Sequence, residues 1–96
     1  MAVLATPAMV ALMENAAMLA VALHLEEGET TVGAMISTSH LKPSKIGNTI
    51  SAIAELTEVE GRKLTFKIEA YDADQLIGSG EHIRYVVNRE KFLAKL

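Results

Sequence analysis

A single carboxylate, Glu14, lies in the middle of the apolar stretch MVALMENAAMLAVALHL. An unpaired carboxylate is strongly disfavoured in apolar surroundings, so this one must be paired, protonated or used in chemistry. An ordinary helical glutamate instead reaches solvent or caps a neighbouring group. Because the residues around Glu14 are apolar on all sides, we interpret it as a candidate for proton transfer or for attack on a carbonyl group.

Two further residues have side chains suited to the same chemistry. His40 ends a predicted strand, where a histidine is usually a surface residue but could share a proton with a buried carboxylate. Thr6 precedes Pro7, an arrangement typical of a helix N-cap, which by itself accounts for the hydroxyl. Eight residues of helix span about 12 Å. Thr6 and Glu14 can therefore reach one carbonyl only if the chain bends or if two protomers contribute them.

The pattern of residue types predicts one buried helix followed by four strands. Ala, Met and Leu favour helix from Thr6 to about Leu25, and Gly28 is a natural terminating residue. Alternation of apolar and polar residues predicts strands over 30–40, 49–59, 62–71 and 75–88, and residues 89–96 suggest a short helix. The last three strands, joined by tight turns, must be antiparallel neighbours. A helix that is apolar on nearly every side requires a sheet curled around it, a second subunit, or both.

The composition excludes several classes of protein. The 96 residues predict one domain over 1–96, and an apolar content of 50% favours a folded chain. A net charge of −3 and 4% aromatic residues argue against nucleic-acid binding. The chain has no cysteine, and its three histidines show no metal-ligand spacing. Because the first basic residue is Lys42 and Glu14 interrupts the apolar stretch, we expect a cytoplasmic protein without a signal peptide or membrane span.

Four stretches of the chain resemble the hot-dog thioesterases, and within them the branch typified by fluoroacetyl-CoA thioesterase. They are LATPAMVALMENAA (4–17), TVGAMISTSHLKPSKIG (31–47), EVEGRKLTFKIEAYD (58–72) and IGSGEHIRYVVNREKF (77–92). The resemblance implies an α+β hot-dog fold, in which a curled antiparallel sheet wraps a long central helix. Family members normally begin with an additional segment that includes a strand, so either this chain is truncated or its sheet lacks that strand. The loop after His40 also has Ile46 where the family usually has proline.

The resemblance implies a set of catalytic residues. Glu14 matches the catalytic carboxylate of the family, His40 its catalytic histidine and Thr6 a catalytic hydroxyl. Gly33 matches a glycine that lines the acyl pocket, although a strand glycine could simply let the helix approach. His82 and Arg84 are interpreted as structural or supporting residues.

The implied activity is hydrolysis of a small acyl-CoA thioester in a homodimer or higher homo-oligomer, with the site between protomers. Coenzyme A enters as part of the substrate, and no cofactor or metal is expected. Lys42 and Lys45 are candidate contacts for coenzyme A phosphates, although exposed loop lysines are usually only solvated. One alternative is a non-catalytic module that binds acyl-CoA or another small ligand. Another is a hydratase or dehydratase, but the Asp-His patterns characteristic of those enzymes are not found.

Overall fold

The computed structural model describes residues 3–96 and contains the predicted helix and four strands. In chain order the elements are α1 (Thr6–Val21), a 3-10 turn (Ala22–His24), β1 (Glu29–His40), β2 (Ile50–Glu60), β3 (Lys63–Asp72), β4 (Gln75–Asn88) and α2 (Arg89–Ala94). The largest difference from the prediction is the end of the first helix. It stops at Val21, because the chain tightens into the 3-10 turn before it reaches Leu25.

The four strands form one antiparallel sheet in the order β1-β4-β3-β2. The β2–β3 and β3–β4 neighbours were predicted from the tight turns between them, and both pairs are confirmed. Gly61 lies in the first of these turns with φ of 60°, a conformation that glycine adopts without steric cost. Because β1 pairs only with β4 and β2 pairs only with β3 among the described residues, these two strands form the opposite edges of the sheet.

One stripe of α1 packs on the sheet and forms the core. The stripe has one residue per turn, and the inward side of β3 supplies the facing residues. The buried residues are Met9, Met13, Ala17 and Val21 on α1 and Leu64, Phe66, Ile68 and Ala70 on β3. The alternation predicted for β3 is therefore confirmed. Phe66 is fully buried, so its replacement by alanine is expected to cost about 3–5 kcal/mol.

The other side of α1 is not covered within one chain. Leu12, Met18 and Leu19 remain 39%, 45% and 64% exposed. The sheet of a single chain therefore covers only one stripe of the helix, and the cover by a second subunit that the sequence also allowed stays a prediction. By length and composition alone, Thr6–His24 could cross a membrane, but core helices of soluble proteins pass the same test.

A bulge in β4 changes which of its side chains face α1. The register with β3 shifts between Ala70 and Tyr71, which leaves Ile77 without a direct partner. After the shift the buried positions are Gly78, His82 and Arg84, whereas Tyr85 is 39% exposed. In a regular strand Ile77 and Tyr85 would lie on the same side of the sheet. Because of the bulge, Ile77 is buried and Tyr85 is exposed.

Gly78 on β4 permits a side chain of α1 to approach the strand closely. A Cβ atom there would lie 2.5 Å from the sulfur of Met9. That separation is shorter than any ordinary contact, so a side chain at this position would force the end of the Met9 side chain to move.

Candidate active site

The loop after β1 is tied to the segment before α1. The Leu4 N–H donates to the Ser44 carbonyl over 2.8 Å, and Val3 pairs with Lys45 in an isolated β-bridge. These contacts bring the end of β1, and with it His40, beside the first turn of the helix.

Thr6 and His40 form a hydrogen-bonded pair at this junction. The Thr6 Oγ1 lies 2.9 Å from Nδ1 of His40. The N-cap is Ala5, in extended conformation, and no side chain caps the helix. The prediction that Thr6 is the N-cap is therefore wrong, because the helix starts one residue earlier and the hydroxyl bonds to the imidazole instead. A hydroxyl beside a histidine is the arrangement that proton transfer to or from oxygen requires.

The second ring nitrogen of His40 is free to act on a ligand. Within residues 3–96, Nε2 of His40 is buried and has no hydrogen-bond partner. Buried polar atoms are rarely left unpaired without a functional reason. A cavity of about 330 Å³ opens here, and its lining includes Thr6, His40, Lys42 and Pro43. The imidazole is thus held through one nitrogen while the other remains available.

Glu14 lies at a different place, against Gly33 of β1. A Cβ at Gly33 would be 3.5 Å from Oε2 of Glu14, and 3.4 Å from Nη1 of Arg84 and from Cε1 of His82. Glu14 is half-buried. The expectation of apolar surroundings on all sides is wrong, because the carboxylate lies beside the helix stripe that faces the sheet and not within it.

Glu14 interacts electrostatically with the guanidinium of Arg84, a side chain that is only 5% exposed. Burial lowers the pKa of Arg84, and the negative charge of Glu14 raises it again. The two groups therefore attract each other across the space in front of Gly33. A carboxyl group in this position is suited to act as a base or nucleophile.

His82 and Arg84 are closer to the candidate site than the sequence indicated. The usable signal was their spacing, since both share the phase of Gly78 and Gly80 along β4. Two large polar residues that continue the phase of two glycines on a strand are compatible with a side-chain network under the helix. The stronger apolar alternation on β4, which includes Ile83 and Tyr85, lies on the other side of the strand.

The two pairs do not meet within one chain. The helix runs without interruption from Thr6 to Val21, so Thr6 and Glu14 are separated by about 12 Å along it. Gly33 and His40 are seven residues apart on β1, or about 23 Å. The structure thus places Thr6 with His40 and Glu14 with Gly33, but it does not bring these pairs together.

The two candidate lysines differ in position. Lys42 lines the cavity beside His40, whereas Lys45 is exposed outside that lining. No group of three or more His, Asp or Glu side chains in residues 3–96 is arranged to hold a metal ion.

Known proteins share both the sequence and the fold. A family model described as fluoroacetyl-CoA-specific thioesterase matches residues 1–90. The fluoroacetyl-CoA thioesterase of Streptantibioticus cattleyicolor is 45% identical over 94 residues, which cover 98% of this chain and 68% of the relative.

Solved structures agree with this assignment. A fluoroacetyl-CoA thioesterase superposes with a TM-score of 0.92 at 45% identity, over 97% of this chain and 69% of the other. A thioesterase superfamily member from Thermus thermophilus gives a TM-score of 0.93 at 30% identity, over 99% and 70%. The α+β hot-dog fold is confirmed, and the chain belongs to the fluoroacetyl-CoA-specific thioesterase family.

Proposed function

We propose that this protein hydrolyses the thioester of a small acyl-CoA to the free acid and coenzyme A. The observation that carries the proposal is the Thr6–His40 hydrogen bond, which leaves Nε2 of His40 unpaired beside a cavity. Family membership supports the reaction class, since the relative from Streptantibioticus cattleyicolor is a fluoroacetyl-CoA thioesterase. Selectivity for a fluorinated acyl group is not part of the proposal.

In the proposed mechanism, Glu14 attacks the thioester carbonyl or activates a water molecule against it. The carbonyl oxygen becomes an oxyanion, which the Thr6 hydroxyl and backbone N–H groups near Gly33 stabilise. Collapse of the tetrahedral intermediate breaks the C–S bond, and His40 delivers a proton to the departing thiolate. If Glu14 is the nucleophile, water then hydrolyses the mixed anhydride to release the free acid and regenerate the carboxylate. If Glu14 activates water, it takes a proton from that water and the free acid forms directly, and in both cases the proton lost by water restores His40. The thiolate is already a good leaving group, so the proposed reaction requires neither a metal nor any cofactor beyond the coenzyme A of the substrate.

The proposed site is composite and forms in a homodimer. Thr6 and His40 of one protomer would act with Glu14 and Gly33 of the partner subunit, because the two pairs of one chain are too far apart for a single carbonyl. The exposed apolar side of α1, with Leu19 64% exposed, supplies an independent reason for a second subunit.

The substrate would enter over the loop that follows His40. Lys42 borders the cavity and Lys45 lies three residues further along the loop. Both ammonium groups are exposed and suited to the phosphates of coenzyme A. Since acyl-CoA thioesters are made and consumed inside cells, the proposal includes a cytoplasmic location.

Thiol release from short acyl-CoA substrates tests the proposed function. We expect turnover by the unmodified protein and a loss of at least about 100-fold in Glu14→Gln. The matched control is Glu27→Gln, since Glu27 is an exposed carboxylate in the turn that precedes β1, and it should keep full turnover. Saturable binding of acyl-CoA by folded protein without thiol release would contradict the proposal and indicate a ligand-binding module.

A further inference from the structure

The strand that carries Gly33 is interrupted by a bulge at that residue. On β1, Gly33 is opposite Arg84 and Met35 is opposite Ile83, so Ala34 is an extra residue without a partner. A bulge of this kind bends its strand and redirects the neighbouring backbone groups. The direction of the Gly33 backbone therefore depends on how firmly the bulge is held.

Two buried side chains of β4 hold the bulge from both ends. Arg84 donates from Nε to Thr31 Oγ1 and from Nη2 to the Thr31 carbonyl, both over 2.9 Å. His82 Nδ1 lies 2.7 Å from the Met35 carbonyl. Nη1 of Arg84 lies 3.2 Å from Nε2 of His82 and joins the two side chains. The network runs from Thr31 to Met35 and has Gly33 between its ends.

The partners of His82 fix its tautomer. A guanidinium has donors only, so Nε2 of His82 must accept the bond from Arg84 and carries no proton. A carbonyl oxygen has acceptors only, so Nδ1 must be protonated and donate to Met35. Phe66, whose ring centroid lies 6.2 Å away, packs against the imidazole. With both nitrogens engaged and 1% exposure, His82 has no free position from which to exchange a proton with a ligand.

The same two side chains border the space beside Glu14. A Cβ on Gly33 would be 3.4 Å from both Arg84 Nη1 and His82 Cε1, and 3.5 Å from Oε2 of Glu14. The bulge, the network and the carboxylate therefore all border the space in front of Gly33. A shift of the bulge would move the Gly33 backbone relative to Glu14, and misplacement of reacting groups by about 1 Å can slow a reaction about 100-fold.

We propose that His82 is a positioning residue, which acts through the bulge on β1 to set the Gly33 backbone against Glu14. The inference rests on the proposed thioesterase function for its kinetic consequence. Its structural content, a neutral His82 protonated on Nδ1 that holds the bulge, does not depend on the reaction.

The kinetic test compares two replacements of His82. His82→Leu removes both hydrogen bonds, and we expect kcat to fall by about 10- to 100-fold while KM changes little. His82→Asn retains a donor near the Nδ1 position, so it should recover most of kcat. Ile68→Val provides a matched control for loss of packing in the core, and it should reduce thermal stability without the same loss of kcat. Equal kcat in His82→Leu and the unmodified protein, or no recovery in His82→Asn, would overturn the inference.

Two measurements separate failure of this inference from failure of the proposed function. The 15N shifts of the His82 ring at neutral pH should show a proton on Nδ1 and none on Nε2. Amide hydrogen exchange at Gly33 and Ala34 should be faster in His82→Leu than in His82→Asn. If the protein releases no thiol, these two results still decide the inference, and a ring protonated on Nε2 would overturn it.

Discussion

The Thr6 hydroxyl lies 2.9 Å from Nδ1 of His40, although 34 residues separate the two in the sequence. The contact depends on the short chain segment before α1, which is tied to the loop after β1 through Leu4 and Ser44. A hydroxyl at this position would ordinarily cap the helix, but here it is committed to the imidazole. Its removal should therefore affect chemistry more than folding.

Thr6→Ala is expected to separate activity from stability. Because Thr6 does not cap the helix, the free energy of unfolding should change by less than about 0.5 kcal/mol, whereas loss of an N-cap costs about 1 kcal/mol. We expect kcat for thiol release to fall by about 10- to 100-fold. Thr6→Ser keeps the hydroxyl and should recover activity. A stability loss without a kinetic effect, measured by urea unfolding alongside turnover, would argue for a purely structural residue.

Gly33→Ala tests the space in front of Glu14. The new methyl group would be 3.4–3.5 Å from three side chains, so the fold should tolerate it at a cost below about 1 kcal/mol. The methyl would occupy the position next to the carboxylate, and we expect kcat/KM to fall by about 10-fold or more.

The control for this substitution is Gly61→Ala. Gly61 has φ of 60° and nothing within 4 Å of an added Cβ, so alanine there should lower stability by about 1–2 kcal/mol and leave kcat/KM unchanged. If Gly33→Ala retains full kcat/KM, the position does not border the reacting carbonyl.

Lys42→Ala and Lys45→Ala are expected to weaken binding of the coenzyme A moiety. Each removes an exposed ammonium group from the loop, so KM should rise a few-fold at low ionic strength and the effect should shrink as salt is added. The effect should be larger for Lys42, which borders the cavity. Acyl thioesters of N-acetylcysteamine lack the phosphates and provide the control substrate. An equal rise in KM for these short thioesters would show that the lysines do not contact phosphate.

The uncovered side of α1 predicts self-association. Size-exclusion chromatography with light scattering should give a mass of at least twice the 10.3 kDa of one chain. Leu19→Lys places a charge on the exposed apolar side and is expected to weaken the assembly. A well-folded monomer at micromolar concentration, with intact thiol release, would contradict the dimeric site.

Much of the fold could be predicted because its elements are regular. The alternation of Leu64, Phe66 and Ile68 gave the inward side of β3, and these residues are buried. Gly61 lies in the tight turn predicted between β2 and β3, and it has the positive φ that such a turn requires. Local patterns of this kind survive folding because each strand contributes one whole side to the core.

The errors arose where a tertiary contact or an irregularity competes with a local rule. Thr6 has the sequence context of an N-cap, yet its hydroxyl bonds to a histidine from a remote strand. The burial of His82 and Arg84 follows from the bulge near Ile77 and from partners on β1. Spacing along β4 places both residues in the phase of Gly78 and Gly80, but it shows neither the bulge nor the partners on β1. The pairing of Glu14 with Gly33 likewise depends on how α1 crosses β1.

Subunit complementation tests most directly the central claim that Glu14 of one protomer acts with His40 of the other. Glu14→Gln and His40→Ala, each inactive alone, are unfolded together and refolded as a mixture. If the site is composite, half of the dimers are mixed and each has one intact site, so thiol release should recover to about one quarter of the unmodified rate. A mixture of Thr6→Ala and His40→Ala, which alter the same half of the site, should show no recovery. Absence of recovery in the first mixture, with mixed dimers demonstrated by mass spectrometry, would contradict the composite site.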